Sequence, residues 1–290
     1  MNSTLTTRDA TGRCSRRGCA AAAPATARRR SPARVSRYRF PVMQVADERN
    51  SPTPRTRAPF LLHGSVTCRV QHWSYRPTTA HLVLYVQRAT PTVADLQRWC
   101  HDLAALGYTH VRSSAVQGAT VASLEAAGFH VLQDLALLAH DDVAGAARHW
   151  GRRAGDTRRL LVTDRRAASR VDLAAFGRDW ALDDTALHEV CSATPRHRAR
   201  GAGDPLLGYA ITGRDGRQGF LQRLAVAPAA QRQGLGLALV VDSLRWMARW
   251  RVERALVNTP VDNQGALALY ERVGYHVLGE RLRVFERSLA

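Results

Sequence analysis

Apolar and polar residues alternate along residues 219–226, with Phe220, Gln222, Leu224 and Val226 on one side and Leu221, Arg223 and Ala225 on the other. Period two in a mostly apolar run predicts a buried or half-buried strand, and Pro228, which has no amide for a ladder, ends it. The period then changes, because Leu239, Val240, Leu244 and Met247 are spaced for a helix reaching about Trp250. Residues 254–259 read as a second strand. Beyond them Asn263 is a good N-cap, Ala266, Leu269, Tyr270 and Val273 share a helical face, and Gly274 supplies the stop. Two short strands, about 275–279 and 281–287, follow. Upstream, a helix at about 93–106 stands between strands at 81–87 and near 109–116. Strands interleaved with helices predict an α/β (α+β) fold.

The chain also repeats itself. Gly128-Phe129-His130-Val131-Leu132 matches Gly274-Tyr275-His276-Val277-Leu278 at an offset of 146, and Glu125 matches Glu271 at the same offset. The helix and strand within 93–116 echo those within 235–259. Two related units are therefore expected, 58–145 and 157–290, joined at 146–156 inside a stretch rich in Gly, Ala and Arg.

Charge changes the picture mainly at one end. All 42 basic residues are Arg, against 24 acidic ones, for a net charge of +18. Residues 1–57 hold 13 Arg against Asp9, Asp47 and Glu48, a net of +10, and their sparse apolar residues predict disorder. Three readings of this tail stand open: an organelle transit peptide, a twin-arginine signal around Arg16-Arg17, and, preferred, an extension upstream of a start at Met43. A polycationic tail could bind nucleic acid, but no aromatic residue precedes Tyr38 to stack on bases, so a solvated arm is expected. Elsewhere no run of about 20 apolar residues exists to cross a membrane. The five cysteines, Cys14, Cys19, Cys68, Cys100 and Cys191, form no CxxC pair. A reduced, cytoplasmic protein without structural zinc or disulfides is expected.

The candidate chemistry lies between the strand at 219–226 and the helix after it. Gln231-Arg232-Gln233-Gly234-Leu235-Gly236 places two glycines where a loop enters a helix. Successive amides there form an electropositive nest for anions, and Gly lets a phosphate approach the main chain. The dinucleotide fingerprint is excluded because its third Gly position is Leu239, and a P-loop because there is no Lys.

Two motifs together carry a resemblance. Gln-x-x-Gly-x-Gly at 231–236 follows Leu-Ala-Val-Ala-Pro, and Asn263-x-x-Ala266-x-x-Leu269-Tyr270-Glu271-x-x-Gly274-Tyr275 lies downstream. Residues 157–290 resemble the GNAT superfamily of acetyl-CoA-dependent N-acyltransferases. The resemblance implies a GNAT fold, a mixed central sheet flanked by helices, whose strand around Leu224, Ala225 and Val226 carries a bulge and splays from the strand ending at Asn258. Main-chain groups there would bond the acetyl carbonyl and pantetheine. It also implies acetyl-CoA as co-substrate, without a metal, its pyrophosphate held by Gln231, Arg232, Gln233, Gly234, Leu235 and Gly236. Asn263 would contact the pantetheine side or simply cap its helix.

Tyr270 is the candidate catalytic acid. A thiolate leaving group has a conjugate pKa of about 8.5, and a tyrosine near 10 can protonate it. On the acceptor side His188, Glu189, His197, Gln222 and Asn258 are candidates, and no single base stands out. His188-Glu189 is no zincin motif, since position 192 is Ser, and no motif supports Cys191 as a nucleophile. The first unit is a degenerate copy: Leu124 stands where the second has Tyr270, and no Gly-x-Gly precedes its helix. It is expected to bind no CoA and to pack on the active copy or wall its acceptor cleft. The expected function is acetyl transfer to a primary amine of a small molecule or a peptide N-terminus. The alternative is a tandem module that senses acyl-CoA without turnover. Acceptor and oligomeric state are not legible.

Overall fold

The computed structural model describes residues 59–84, 89–151 and 155–289. The expected tail at 1–57 lies outside them. In the first half the elements are β1 (Phe60–Leu62), β2 (Cys68–Trp73), β3 (Arg76–Leu84), α1 (Val93–Ala105), β4 (His110–Ser113), α2 (Ala119–Ala126) and β5 (His130–His140). Then come α3 (Val143–Trp150), β6 (Arg158–Arg159), α4 (Arg165–Trp180), α5 (Asp184–Ser192), β7 (Arg196–Ala202), β8 (Gly208–Asp215) and β9 (Gln218–Val226). The chain finishes with α6 (Leu235–Arg249), β10 (Arg254–Pro260), α7 (Gln264–Arg272) and β11 (His276–Ser288). All eleven described strands join one mixed sheet in the order β1-β2-β3-β4-β11-β5-β10-β9-β8-β7-β6.

The repeat is visible in the backbone. Gly128 and Gly274 both adopt positive φ, +82° and +99°, and end α2 and α7 in the same way. Phe129 N donates to Leu124 O and Tyr275 N to Tyr270 O, each at 3.0 Å. Only glycine fits at 274, since a Cβ there would lie 2.8 Å from His140 Nε2. Each half also holds one parallel pair, β3 with β4 and β9 with β10.

The halves then exchange their last strands. β11 lies between β4 and β5, and β5 lies between β11 and β10. Phe285 of β11 is fully buried among Leu82, Leu96 and Trp99 of the first half, while Leu138 of β5 is buried among Leu239 and Leu244 of α6. The two halves thus complete each other's cores.

Two local expectations are corrected. The joint at 146–156 is a helix up to Trp150, because Val143 and Ala146 turn one face of α3 into the core beside α6. The strands at 275–279 and 281–287 are one strand, β11, whose ladder to β5 jumps register between Val277 and Arg281. An irregularity of that kind interrupts the side-chain alternation without ending the strand. Helices α3, α6 and α7 pack on one face of the second half's sheet, and α4 and α5 on the other, where Tyr209, Ile211 and Ala225 are buried.

Candidate functional site

The site begins with a fault in the sheet. Ile211 pairs with Arg223 and Thr212 with Leu221, so Gln222 is an extra residue and β9 bulges there. β9 and β10 stay paired only from Gln218, Gly219 and Phe220 to Arg254, Ala255 and Leu256, then part. The gap opens into a cleft of about 510 Å³. Leu224, Ala225 and Val226 form one wall, and Asn263, Gly265, Ala268, Leu269 and Arg272 of the α7 segment form the other. Ala175 and Phe176 of α4 close one side, and Gln231, Arg232, Gly234, Gly236 and Leu237 line the end.

That end is the N-terminus of a 15-residue helix, α6, and no side chain caps it. The first amides of a helix need partners and carry partial positive charge. Side chains supply them at α1 (Thr92 and Asp95), α3 (Asp142), α5 (Asp183) and α7 (Asn263), whereas α2 and α4 start without a side-chain cap away from the cleft. At α6 the amides face the cleft beside Gly234, whose φ is +85° and whose missing Cβ would have no atom within 4 Å. Arg232, also at positive φ (+63°), and Arg272 add two guanidinium groups. An open helix end, a glycine approach and two arginines fit a polyanion.

The structure brings together Leu224, Ala225, Val226, Gln231, Arg232, Gly234, Gly236 and Asn263. Gln231 Nε2 donates to Val226 O at 3.2 Å, which ties the loop to β9. Asn263 Oδ1 accepts from Ala266 N at 3.1 Å as the cap of α7. Gln233 does not line the cleft, since its Nε2 donates back to Ala229 O at 3.1 Å. Leu235 is half-buried against the core of α3, α6 and α7. Tyr270 stands behind the cleft wall, buried with Val273 and with its ring 5.7 Å from that of Tyr275. Burial pushes its hydroxyl pKa well up, against the opposing effect of Arg223.

Arg272 and Phe176 were not anticipated. Arg272 had a signal: Gly265, Ala268, Leu269 and Arg272 follow i, i+3, i+4, i+7 and form the helix face opposite Tyr270.

Residues 167–275 match the model of the acetyltransferase (GNAT) family. They form a GNAT-family domain. Solved structures extend the likeness to the first half. A tandem GNAT protein from the clavulanic acid biosynthesis pathway is 14% identical, over 77% of this chain and 79% of that one, with a TM-score of 0.54. A GCN5-related N-acetyltransferase from Sphaerobacter thermophilus is 16% identical over 77% and 76%, at 0.51. A functionally unknown conserved protein from Staphylococcus epidermidis is 13% identical over 80% and 95%, at 0.50. At such identities the likeness is one of fold. No curated protein matches the sequence.

On the other side of β9 the GNAT domain carries a buried polar network. Asp172 of α4 accepts from Leu182 N at 2.5 Å, from the Tyr209 hydroxyl, and from Arg223 Nε and Nη2 at 2.9 and 2.6 Å. Arg223 Nη2 also donates to Trp180 O at 2.8 Å, and its guanidinium stacks 3.6 Å over Phe176. These contacts fix α4 where Gly177 breaks it (φ +67°), and so place Phe176 at the cleft.

The first half holds the same segment from outside. Trp73 Nε1 donates to Asp179 O at 2.7 Å, Trp73 meets Trp180 edge-on at 5.5 Å, and Arg112 Nη1 donates to Asp179 O at 3.2 Å. Arg76 pairs with Asp179, and Arg69 with Glu189 at 3.0 Å. Of the acceptor-side candidates, Glu189 makes that pair, Gln222 Nε2 donates to Val190 O at 3.1 Å, and His188 Nδ1 lies 3.1 Å from Arg165. His197, opposite Gly213 on β8, and Asn258, opposite Leu137 on β5, are outside the cleft lining.

Proposed function

We propose that this chain is an N-acetyltransferase that passes the acetyl group of acetyl-CoA to a primary amine, by direct attack while both are bound. The observation that carries this reading is the uncapped N-terminus of α6 at the end of a cleft opened by splayed strands. The α6 amides with Arg232 and Arg272 hold phosphate, and Gly234 allows its close approach. Past Phe220 the edge of β9 toward β10 has main-chain groups free of the parallel ladder. These would bond the amides of an extended pantetheine arm as a further strand would, and orient the thioester carbonyl. The thioester, when bound, supplies the acetyl group. Tyr270 is the proposed donor to the departing sulfur, and its raised pKa keeps it protonated across neutral pH.

The first half is proposed to bind no CoA, because its equivalent anion site is already filled. The Asp95 carboxylate sits at the N-terminus of α1, taking hydrogen bonds from Ser65 N at 3.0 Å, the Ser65 hydroxyl at 2.5 Å and Thr92 Oγ1 at 2.8 Å.

The burial of Tyr270 behind the cleft favours a second reading, a module that senses acyl-CoA without turnover. Calorimetric titration with acetyl-CoA, followed by a panel of small-molecule amines and peptide N-termini assayed for free CoA, separates the two. Binding with CoA release supports the enzyme, binding without release supports the sensor, and no binding removes both. On a true acceptor Tyr270→Phe should lower kcat by about 10²-fold or more with little change in KM; unchanged turnover at every pH removes its role. Among the described residues no helix is long and apolar enough to cross a membrane.

A further inference from the structure

The last turn of a helix leaves carbonyls without partners inside it, and at the end of α4 two consecutive ones are taken from opposite sides. Asp179 O accepts from Trp73 Nε1 at 2.7 Å and from Arg112 Nη1 at 3.2 Å, both in the first half. Trp180 O accepts from Arg223 Nη2 at 2.8 Å, in the second half. The first-half grip is itself braced. Trp73 is buried, with His81 edge-on at 4.9 Å and the Arg112 guanidinium 4.9 Å over its ring. Arg112, equally buried, pairs with Glu286 of the exchanged strand β11. Arg76 pairs with the Asp179 carboxylate, and Trp180 meets Trp73 edge-on.

Arg223 carries this hold to the cleft. Its guanidinium, anchored twice on the fully buried Asp172, stacks 3.6 Å from the centre of the Phe176 ring, and Phe176 lines the cleft. A guanidinium over an aromatic face is attracted to it, the more so out of water. Between Phe176 and the gripped turn lies Gly177, where α4 breaks at φ +67°. A Cβ at Gly177 would meet no atom within 4 Å, so nothing packs on the break to set its angle. The placement of Phe176 relative to Trp180 is therefore set by the partners on either side, Arg223 within the domain and Trp73, Arg76 and Arg112 from outside it.

We propose that Trp73 is a positioning residue for the acetyl-CoA cleft. From the half that binds no CoA it fixes the turn at Asp179 and Trp180, and through Arg223 it holds Phe176 as a wall of the cleft. Trp73 does not itself line the cleft, so its effect on the cofactor runs through Phe176. The degenerate half thereby contributes to cofactor affinity. This inference rests on the reading of the cleft as the acetyl-CoA site.

The test is a double-mutant cycle on the full chain, with acetyl-CoA affinity read by calorimetry well below the melting temperature of every variant. Trp73→Phe keeps a ring against Trp180 and removes the donor to Asp179 O; Phe176→Ala removes the wall. Phe176→Ala should weaken acetyl-CoA binding about fivefold or more, and Trp73→Phe about threefold or more. In the Phe176→Ala background Trp73→Phe should cost nothing further, because the wall it positions is gone, whereas independent effects would add. Should Trp73→Phe not fold, Arg76→Gln carries the same test, since it cuts only the partly exposed pair with Asp179. It should weaken binding about twofold, again only while Phe176 is present. An equal loss in both backgrounds, which a general loosening of the domain would give, overturns the inference. No loss in either single variant overturns it as well. Failure of the wild-type chain to bind acetyl-CoA overturns the underlying reading instead.

Discussion

Replacing Phe285 by Ala tests whether the two halves are one folding unit. The ring lies in the second half's last strand but is fully buried among first-half residues, against α1, and Phe285 N donates to Ser113 Oγ at 2.9 Å. Emptying a phenylalanine site in a packed core costs about 3–5 kcal/mol. That is a large part of the roughly 5–15 kcal/mol that holds a typical domain folded. At roughly 2–4 °C per kcal/mol for a chain of this size, Tm should fall by about 6–20 °C. Differential scanning calorimetry with and without acetyl-CoA is the assay. Because Leu138 of the first half is buried against α6 in return, the whole described fold should melt in one lowered transition, and acetyl-CoA should raise it. Two transitions, with the acetyl-CoA-responsive one at the wild-type temperature, would show that the halves fold independently and refute the reasoning.

Two further outcomes follow from the helix ends. Arg272→Ala removes one of two arginines from the cleft, and acetyl-CoA affinity measured by calorimetry should fall about tenfold, with a weaker salt dependence than wild type; an unchanged affinity would take Arg272 out of the site. Asp95→Ala removes the carboxylate from the N-terminus of α1 and should cost about 0.5–2 kcal/mol in urea denaturation at pH 7. The Ser65 hydroxyl above all, with Arg98 and Thr92, holds the Asp95 pKa well below the usual carboxylate value of 3.8. A depressed pKa adds stability that is full above pH 4 and is lost progressively as pH falls toward the lower folded-state pKa, so the gap between variant and wild type should narrow in acid. A destabilisation that does not shrink as pH falls from 4 to 2 would contradict the assigned cause.

Much of the cleft could be read from the chain because its parts are local. The period-two strand before Pro228, the glycines at 234 and 236, and Asn263 before a helix ended by Gly274 are neighbours in sequence, and the structure keeps them so. The exchange of β5 and β11 was not legible. Both strands present similar apolar faces, and which strand fills which gap is settled only by long-range packing, such as Phe285 against Leu96. The α3 helix was hidden by Gly, Ala and Arg, although Val143, Ala146 and Trp150 already had helical spacing. Asp172 and Arg223 are far apart in sequence, and only folding joins them beneath Phe176. Tyr270 shows the limit of a motif: its position was clear, yet its period sets it with Val273 in the core rather than on the cleft face with Arg272.

Hydrogen exchange with and without acetyl-CoA tests the central claim most directly, since it reads the helix amides themselves. The account predicts that acetyl-CoA slows exchange across residues 232–238, at the start of α6, and leaves 92–96, at the start of α1, unchanged. Absence of protection at 232–238, or protection at 92–96 in its place, would contradict it.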